Sequence, residues 1–304
     1  LFRSILQSED FMDDGSSIKL KITIDANSNS ATLDFTGTSP EMYSNMNAPK
    51  AITYSAIIYC LRCLVDEDIP LNEGFLRPFD IIIPVDCFSS PSEGSAVEVG
   101  HVMTYQRSTD VSSNAFGTMA DSHGCTNNFT FGIGGQDSDG KHSNEFGYYE
   151  TITGGHGAGR FWNGVDAVHT NMTNTKMTDV EVLEKRYPVI LREFSIRKES
   201  GGKGQYCGGN GAIRDMEFRI PLIASIRSEG QVISRHGINS DKYGSRGINL
   251  WRRQIFKDGE LKALRVVNIG GKNSVLVNAG DRIILMTPGG GGYGRKSNNV
   301  LGRP

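Results

Sequence analysis

Glycine placement constrains this chain more than any other feature. Of 304 residues, 37 are glycine, and many fall in three clusters. These are 154–159 (Gly-Gly-His-Gly-Ala-Gly), 200–211 (Ser-Gly-Gly-Lys-Gly-Gln-Tyr-Cys-Gly-Gly-Asn-Gly) and 287–294 (Thr-Pro-Gly-Gly-Gly-Gly-Tyr-Gly). Glycine destabilises helix and strand interiors, but it allows positive φ and lets one backbone approach another closely. The clusters therefore read as turns or as sites of close backbone contact. The chain between them reads as short strands.

Elsewhere the periodicity is informative. Ile18, Leu20, Ile22 and Ile24 alternate with Lys19, Lys21 and Thr23, which predicts a half-buried strand. A polar turn at 25–30 followed by Leu33 and Phe35 completes a hairpin. Ile52, Ala56, Tyr59, Cys60, Cys63 and Leu64 recur at helical spacing, so 51–65 is read as a helix with one apolar face. A short strand at 79–83 ends at Pro84. A helix with a polar face is expected over 107–120. Strands are expected at 129–133 and 146–152, flanking a polar, exposed loop at 134–144. Further strands are read at 189–197, 213–218, 223–227, 264–269, 274–277 and 282–286. The class is α+β with a β-rich second half, and a subdivision is placed within 154–186.

Bulk properties remove several function classes. The net charge is −2, from 32 basic and 34 acidic residues, and no basic stripe is present, which argues against a nucleic-acid partner. No apolar run approaches the roughly 18 residues of a membrane span. No charged-then-apolar leader is present, and the first residue is Leu1 rather than Met, as expected for a piece of a longer chain. Five cysteines without a regular framework argue against a secreted disulfide scaffold and for a cytoplasmic protein.

Each motif carries a chemical and a structural reading. Glu150 and His156 flank the first glycine cluster and have the residue types of an acid–base pair. Consecutive N–H groups there can form an anion nest; the alternative is a tight turn between strands. The four glycines at 289–292 resemble a phosphate cradle, yet the Lys-Ser/Thr of a P-loop is missing, which favours backbone packing. Lys203 in the second cluster is able to meet an anion or simply face solvent. Cys60 and Cys63 have CxxC spacing without a second pair, which favours core packing over zinc. Cys125 lies two residues from His123, a pairing that makes a nucleophile only with spatial contact. The histidines show no ligand spacing, so no metal site is read within the chain.

Seven segments in order resemble one family. These are Asp34-Phe-Thr-Gly-Thr-Ser-Pro40 with Asn47, Asp68-Ile-Pro-Leu-Asn-Glu-Gly74, Thr104-Tyr-Gln-Arg-Ser-Thr-Asp110, and Tyr148-Tyr-Glu-Thr with Gly154-Gly155. Thr178-Asp-Val-Glu-Val-Leu-Glu-Lys-Arg-Tyr-Pro188, Ser200-Gly-Gly and the 287–294 cluster follow. Together they are similar to the hydantoinase B/oxoprolinase family over about residues 11–294. Gly124-Cys-Thr-Asn-Asn128 and Met172-Thr-Asn-Thr-Lys-Met-Thr-Asp179 look like the eukaryotic-type 5-oxoprolinase branch.

The resemblance implies the carboxy-terminal part of a hydantoinase B-type domain. The implied reaction is ATP-dependent hydrolysis of a cyclic amide, opening the 5-oxo-L-proline lactam to L-glutamate. Family organisation places ATP and Mg²⁺ in an A part, and possible metal ligands in the amino-terminal half of the B part. Neither region is among these residues, and the isolated chain is expected to be inactive. The implied partners are a hydantoinase A-like domain or subunit, the lactam and further copies of the chain. An exposed apolar interface is expected. The site residues implied are Glu150, Arg107 and Asp110 as catalytic groups and Asn47, Gly154 and Gly155 as substrate contacts. Glu150 is expected at a loop edge. The alternatives are a carboxylase α-subunit-like role of the acetone carboxylase type and a non-catalytic assembly module.

Overall fold

The computed structural model describes residues 3–70, 72–134 and 145–296. The loop expected at 134–144 lies outside them from residue 135 onward.

The first four strands form one sheet in the order β1 (Arg3–Phe11), β2 (Ser17–Asp25), β3 (Ser30–Asp34) and β4 (Phe79–Ile82). The β1–β2–β3 pairings are antiparallel, and β4 joins β3 in parallel. Alternation along β2 buries Ile18, Leu20 and Ile22 and turns Lys19 and Lys21 outward, as the sequence pattern predicts. Helix α1 (Lys50–Leu64) buries Thr53, Ala56, Ile57, Cys60 and Leu61 along one stripe and ends where Val65 turns extended. Its partner α2 (Tyr105–Ala115) follows a five-residue π-turn, Gly100–Thr104.

Helix α2 carries the expected polar residues, at 105–115 rather than 107–120, and holds them inside the protein. Gln106 through Ser113 are all buried, although most are polar or charged. The helix packs on α1, β1 and β2, and its side chains must find partners inside the protein. Ser108, Thr109 and Ser112 do so locally, each donating its hydroxyl to the carbonyl four residues back at 2.8–3.0 Å.

The rest of the chain builds two further sheets. After β5 (Asn128–Ile133) and β6 (Phe146–Thr151), helix α3 (Val180–Arg186) leads into β7 (Val189–Arg197), β8 (Gly211–Phe218) and β9 (Leu222–Arg227). β10 (Ile248–Lys257), β11 (Glu260–Asn268), β12 (Lys272–Val277) and β13 (Arg282–Met286) complete the elements. One sheet runs β11-β10-β13-β8-β7 and the other β12-β9-β5-β6. Phe131 joins them, with five aromatic rings at centroid distances of 4.8–6.4 Å, including Tyr148, Tyr187 and Phe218. One apolar core draws on residues from Met12 to Cys125 and the other on residues from Phe129 to Leu285. The change of core thus falls between Cys125 and Phe129, upstream of 154–186.

Three elements escaped the pattern analysis. β1 exposes Ile5, Gln7, Glu9 and Phe11 and turns Leu6, Ser8 and the buried Asp10 inward, so its apolar alternation is broken. β10 is interrupted by Arg252, Arg253 and Gln254. α3 has seven residues, too few for a periodic signal, although its cap is plain: the Asp179 side chain accepts from Glu181 N and Val182 N at 3.0 and 3.3 Å.

Candidate functional site

The three glycine clusters pack into one layer. A Cβ on Gly155 would lie 2.1 Å from Gly209 O and 2.3 Å from Gly290 N, and one on Gly208 would lie 2.1 Å from Gly290 O. Gly154 lies under the His123 ring, where a Cβ would come within 2.4 Å. The amides are already used inside the protein. Gly154 N donates to Val168 O, Gly155 N to Pro288 O, Gly157 N to Ser122 Oγ and Ala158 N to Gly291 O, all at 2.9–3.1 Å. Gly289 N, Gly290 N and Gly291 N donate to Ser245 O, Gly209 O and Asp121 O. These N–H groups are taken, which favours the close-packing reading over an anion nest or phosphate cradle.

Glu150 does not project at a loop edge. It is 5% exposed, because from β6, the edge strand of one sheet, it pairs with Arg214 on β8 of the other. Arg214 from β8 grips it through Nε at 2.7 Å and Nη2 at 2.9 Å, and the Tyr148 hydroxyl donates to Oε2 at 2.8 Å. Both oxygens are engaged in a bidentate, charge-assisted pair, leaving little capacity to activate water. Asn47 is equally committed. Its Oδ1 accepts from Met42 N, and its Nδ2 donates to Met42 O, Ser44 O and Ala96 O, at 2.8–3.0 Å. It folds the 42–47 loop onto residue 96.

The Cys125–His123 pairing does not form either. Asn127 stands between them: Cys125 Sγ contacts Asn127 Oδ1 at 3.1 Å, and Asn127 Nδ2 lies 3.0 Å from His123 Nδ1. Burial pushes the Cys125 thiol up to about 12 and the His123 ring down to about 3, so both groups are neutral at pH 7. Cys60 is buried as expected, while Cys63 is exposed.

Arg107 and Asp110 are brought together, and with them three residues that chain spacing does not connect. Arg107 is fully buried on α2 and pairs through Nη1 with Asp10 at the end of β1. The same nitrogen lies 3.8 Å from Asp110 Oδ2. Asp121 follows α2; its Oδ1 accepts from Asn114 Nδ2 at 2.5 Å and its Oδ2 from His236 N at 2.9 Å. The His236 ring closes the cluster, with Nδ1 at 3.4 Å from Asp10 and 3.5 Å from Asp121. Its side chain is 34% exposed, and it opens an otherwise buried group to solvent.

The electrostatics follow from that crowding. Burial raises Asp10, but Arg107 and His236 outweigh it and hold the carboxyl below its ordinary range. Burial and then Asp121 push Asp110 well above it. Burial and Asp10 raise Asp121. The two carboxylates, Asp10 first, push His236 up to about 10. Several polar atoms stay without a hydrogen-bond partner: Arg107 Nε, Asp110 Oδ2, His123 Nε2, and Arg235 Nε and Nη1. A cluster of three carboxylates with exchangeable protons is able to store a proton or hold a cation. A separate polar cavity of about 350 Å³ lies beside the π-turn, lined by His101, Asn128, Tyr149, Arg227 and Glu98, the last two paired.

Comparison with known proteins places this architecture. The family model described as hydantoinase B/oxoprolinase matches residues 3–296. The 5-oxoprolinase of Saccharomyces cerevisiae is 56% identical over 295 residues, covering 94% of this chain and 22% of its own length. 5-oxoprolinase 1 of Arabidopsis thaliana is 52% identical over 289 residues, covering 95% of this chain and 21% of its own. The chain thus spans about a fifth of the length of these curated relatives. The ATP-dependent caprolactamase from Pseudomonas jessenii superposes with a TM-score of 0.73 at 20% identity, over 98% of this chain and 53% of that one, which speaks for the fold. By the match along residues 3–296, the chain belongs to the hydantoinase B/oxoprolinase family.

Proposed function

We propose that this chain is the carboxy-terminal part of the hydrolytic B part of an ATP-dependent 5-oxoprolinase, which opens the 5-oxo-L-proline lactam to L-glutamate. The observation that carries the reading is identity of 52–56% to named 5-oxoprolinases along 94–95% of this chain. An unactivated amide is a poor electrophile. In this reading a hydantoinase A-like part supplies ATP and Mg²⁺ to activate it, and water completes the hydrolysis at the B part. The glycine layer fits a scaffolding share of that work, since amides from all three of its segments are spent on internal packing.

Within this reading the site residues take different parts. Arg107 and Asp110 are fully buried and act as positioning residues that hold Asp10, Asp121 and His236 in place. Glu150, Asn47, Gly154 and Gly155 hold the framework. The exposed Leu261, Leu264 and Val266 on edge strand β11 support a surface covered by another part of the protein or by a second copy. Five free cysteines support a reducing, cytoplasmic setting.

The test is glutamate release from 5-oxoproline with ATP and Mg²⁺. The gene product extended to the length of its relatives should turn over, and the 304-residue chain alone should not. No turnover by the extended protein, or turnover by the short chain above a heat-killed control, would overturn the reading.

A further inference from the structure

Spacing along the chain shows no metal-ligand set, yet the fold brings one together. Asp10, Asp121 and His236 come from β1, the segment after α2 and the segment after β9, and each offers one ligand atom within 4.8 Å of the others. We propose that Asp10 Oδ1, Asp121 Oδ2 and His236 Nδ1 bind a divalent transition-metal ion of the zinc or manganese class.

The distances carry the argument. An imidazolium hydrogen-bonded to carboxylates would close to about 2.7–2.9 Å. Here His236 Nδ1 stands back from two oxygens almost equally, at 3.4 and 3.5 Å. That is the ligand-to-ligand edge of a tetrahedron whose metal–ligand bonds are about 2.0–2.2 Å. The supporting contacts suit a metal centre as well. The other oxygen of each carboxylate is already held, Asp10 Oδ2 by Arg107 and Asp121 Oδ1 by Asn114. Such outer contacts orient ligating carboxylates.

A second observation is a buried polar oxygen beside the cluster that has no hydrogen-bond partner. Asp110 is fully buried, and its Oδ2 has no hydrogen-bond partner, though it faces the same Arg107 Nη1 that meets Asp10. Asp10 and Asp110 therefore share one nitrogen of Arg107, and Asp121 lies close by. Arg235 lies beside the Nη2 edge of Arg107, where both guanidiniums crowd Gly124. Mixed imidazole and carboxylate donors suit zinc and manganese, and three protein ligands leave a further position open on the exposed side of His236.

The experiment uses the full chain, stripped with a chelator and titrated with Co²⁺ and Zn²⁺ by calorimetry. One ion per chain is expected, with affinity falling on acidification because a proton competes for Nδ1. His236→Ala and Asp121→Asn should each weaken binding by more than tenfold, and Asn114→Ala by about 10–100-fold. Absence of saturable binding, or equal binding by wild type and His236→Ala, would sink the proposal. The unaltered protein gives a second reading. Mn²⁺ should broaden the His236 ring signals in NMR before those of His101 and His169, and uniform broadening would count against the site. Neither readout depends on lactam turnover, so failure here leaves the proposed function standing.

Discussion

Glu150–Arg214 and Arg107 with its carboxylates are both buried ion pairs, but they are completed differently. In the first, one guanidinium edge meets one carboxylate, and Tyr148 satisfies the remaining capacity. In the second, one guanidinium serves Asp10 and Asp110, Asp121 lies close by, and several polar atoms stay unpartnered. A closed pair is finished structure. An open cluster has bonding capacity left over, and unpartnered buried polar groups in a native protein call for an explanation such as a proton, an ion or chemistry.

The sharpest way to break this contrast is to remove one half of the closed pair. Arg214→Met would leave Glu150 buried without a counter-charge, which costs about 3–5 kcal/mol. Urea unfolding should show it, and Arg214→Met with Glu150→Leu should recover much of the loss. Glu150→Gln is milder, about 1.5–3 kcal/mol for a lost charged hydrogen-bond partner. In the complete enzyme it should lower the melting temperature while leaving kcat per folded molecule unchanged. A drop in kcat of about 10²-fold or more, with melting intact, would return Glu150 to the catalytic centre.

Acid tests the neighbourhood of the open cluster. His123, His156 and His169 are all pushed below 6.5 by burial. The unfolded chain therefore binds protons that the fold refuses. The contribution of these three rings is complete above pH 6.5 and falls as pH drops below it, by at most about 1.4 kcal/mol per pH unit for each ring. Denaturant melts at pH 7 and pH 5 measure the slope, and His123→Asn should flatten it. The smallest effect belongs to Asp110→Asn. Asp110 is raised, so the fold keeps its proton while the unfolded carboxyl ionises above about 3.9, and that mismatch costs stability as pH rises. Asparagine removes the mismatch. The variant should be within about 1 kcal/mol of wild type near pH 4 and gain on it toward neutral pH; a loss that grows with pH would mean that Asp110 is ionised in the fold.

The sequence carried the fold class because alternation in β2 and helical spacing in α1 both report on a single half-buried face. It missed β1, whose inward residues include a charged Asp10, and it did not show that the polar residues of α2 face neighbours rather than water. The site was half legible. Arg107 and Asp110 stand in one motif, one helical turn apart. Asp10, Asp121 and His236 are separated by more than a hundred residues in places, and only the tertiary fold joins them. Glu150 looked available because it precedes a glycine turn; its partner Arg214 lies 64 residues away on another sheet.

The glycine layer also sets a timetable. Its three segments, 154–159, 200–211 and 287–294, must all be present before any of them can pack, since each fills the space that a side chain would take in the others. During synthesis the first sheet with α1 and α2 has its whole sequence available once residue 115 is made, while the layer waits for residue 294. Such distant pairings close slowly and leave unpaired strands exposed meanwhile. Deletion of 287–294 should therefore disrupt a layer whose other two segments lie more than 75 residues upstream, far beyond the loss expected from eight residues.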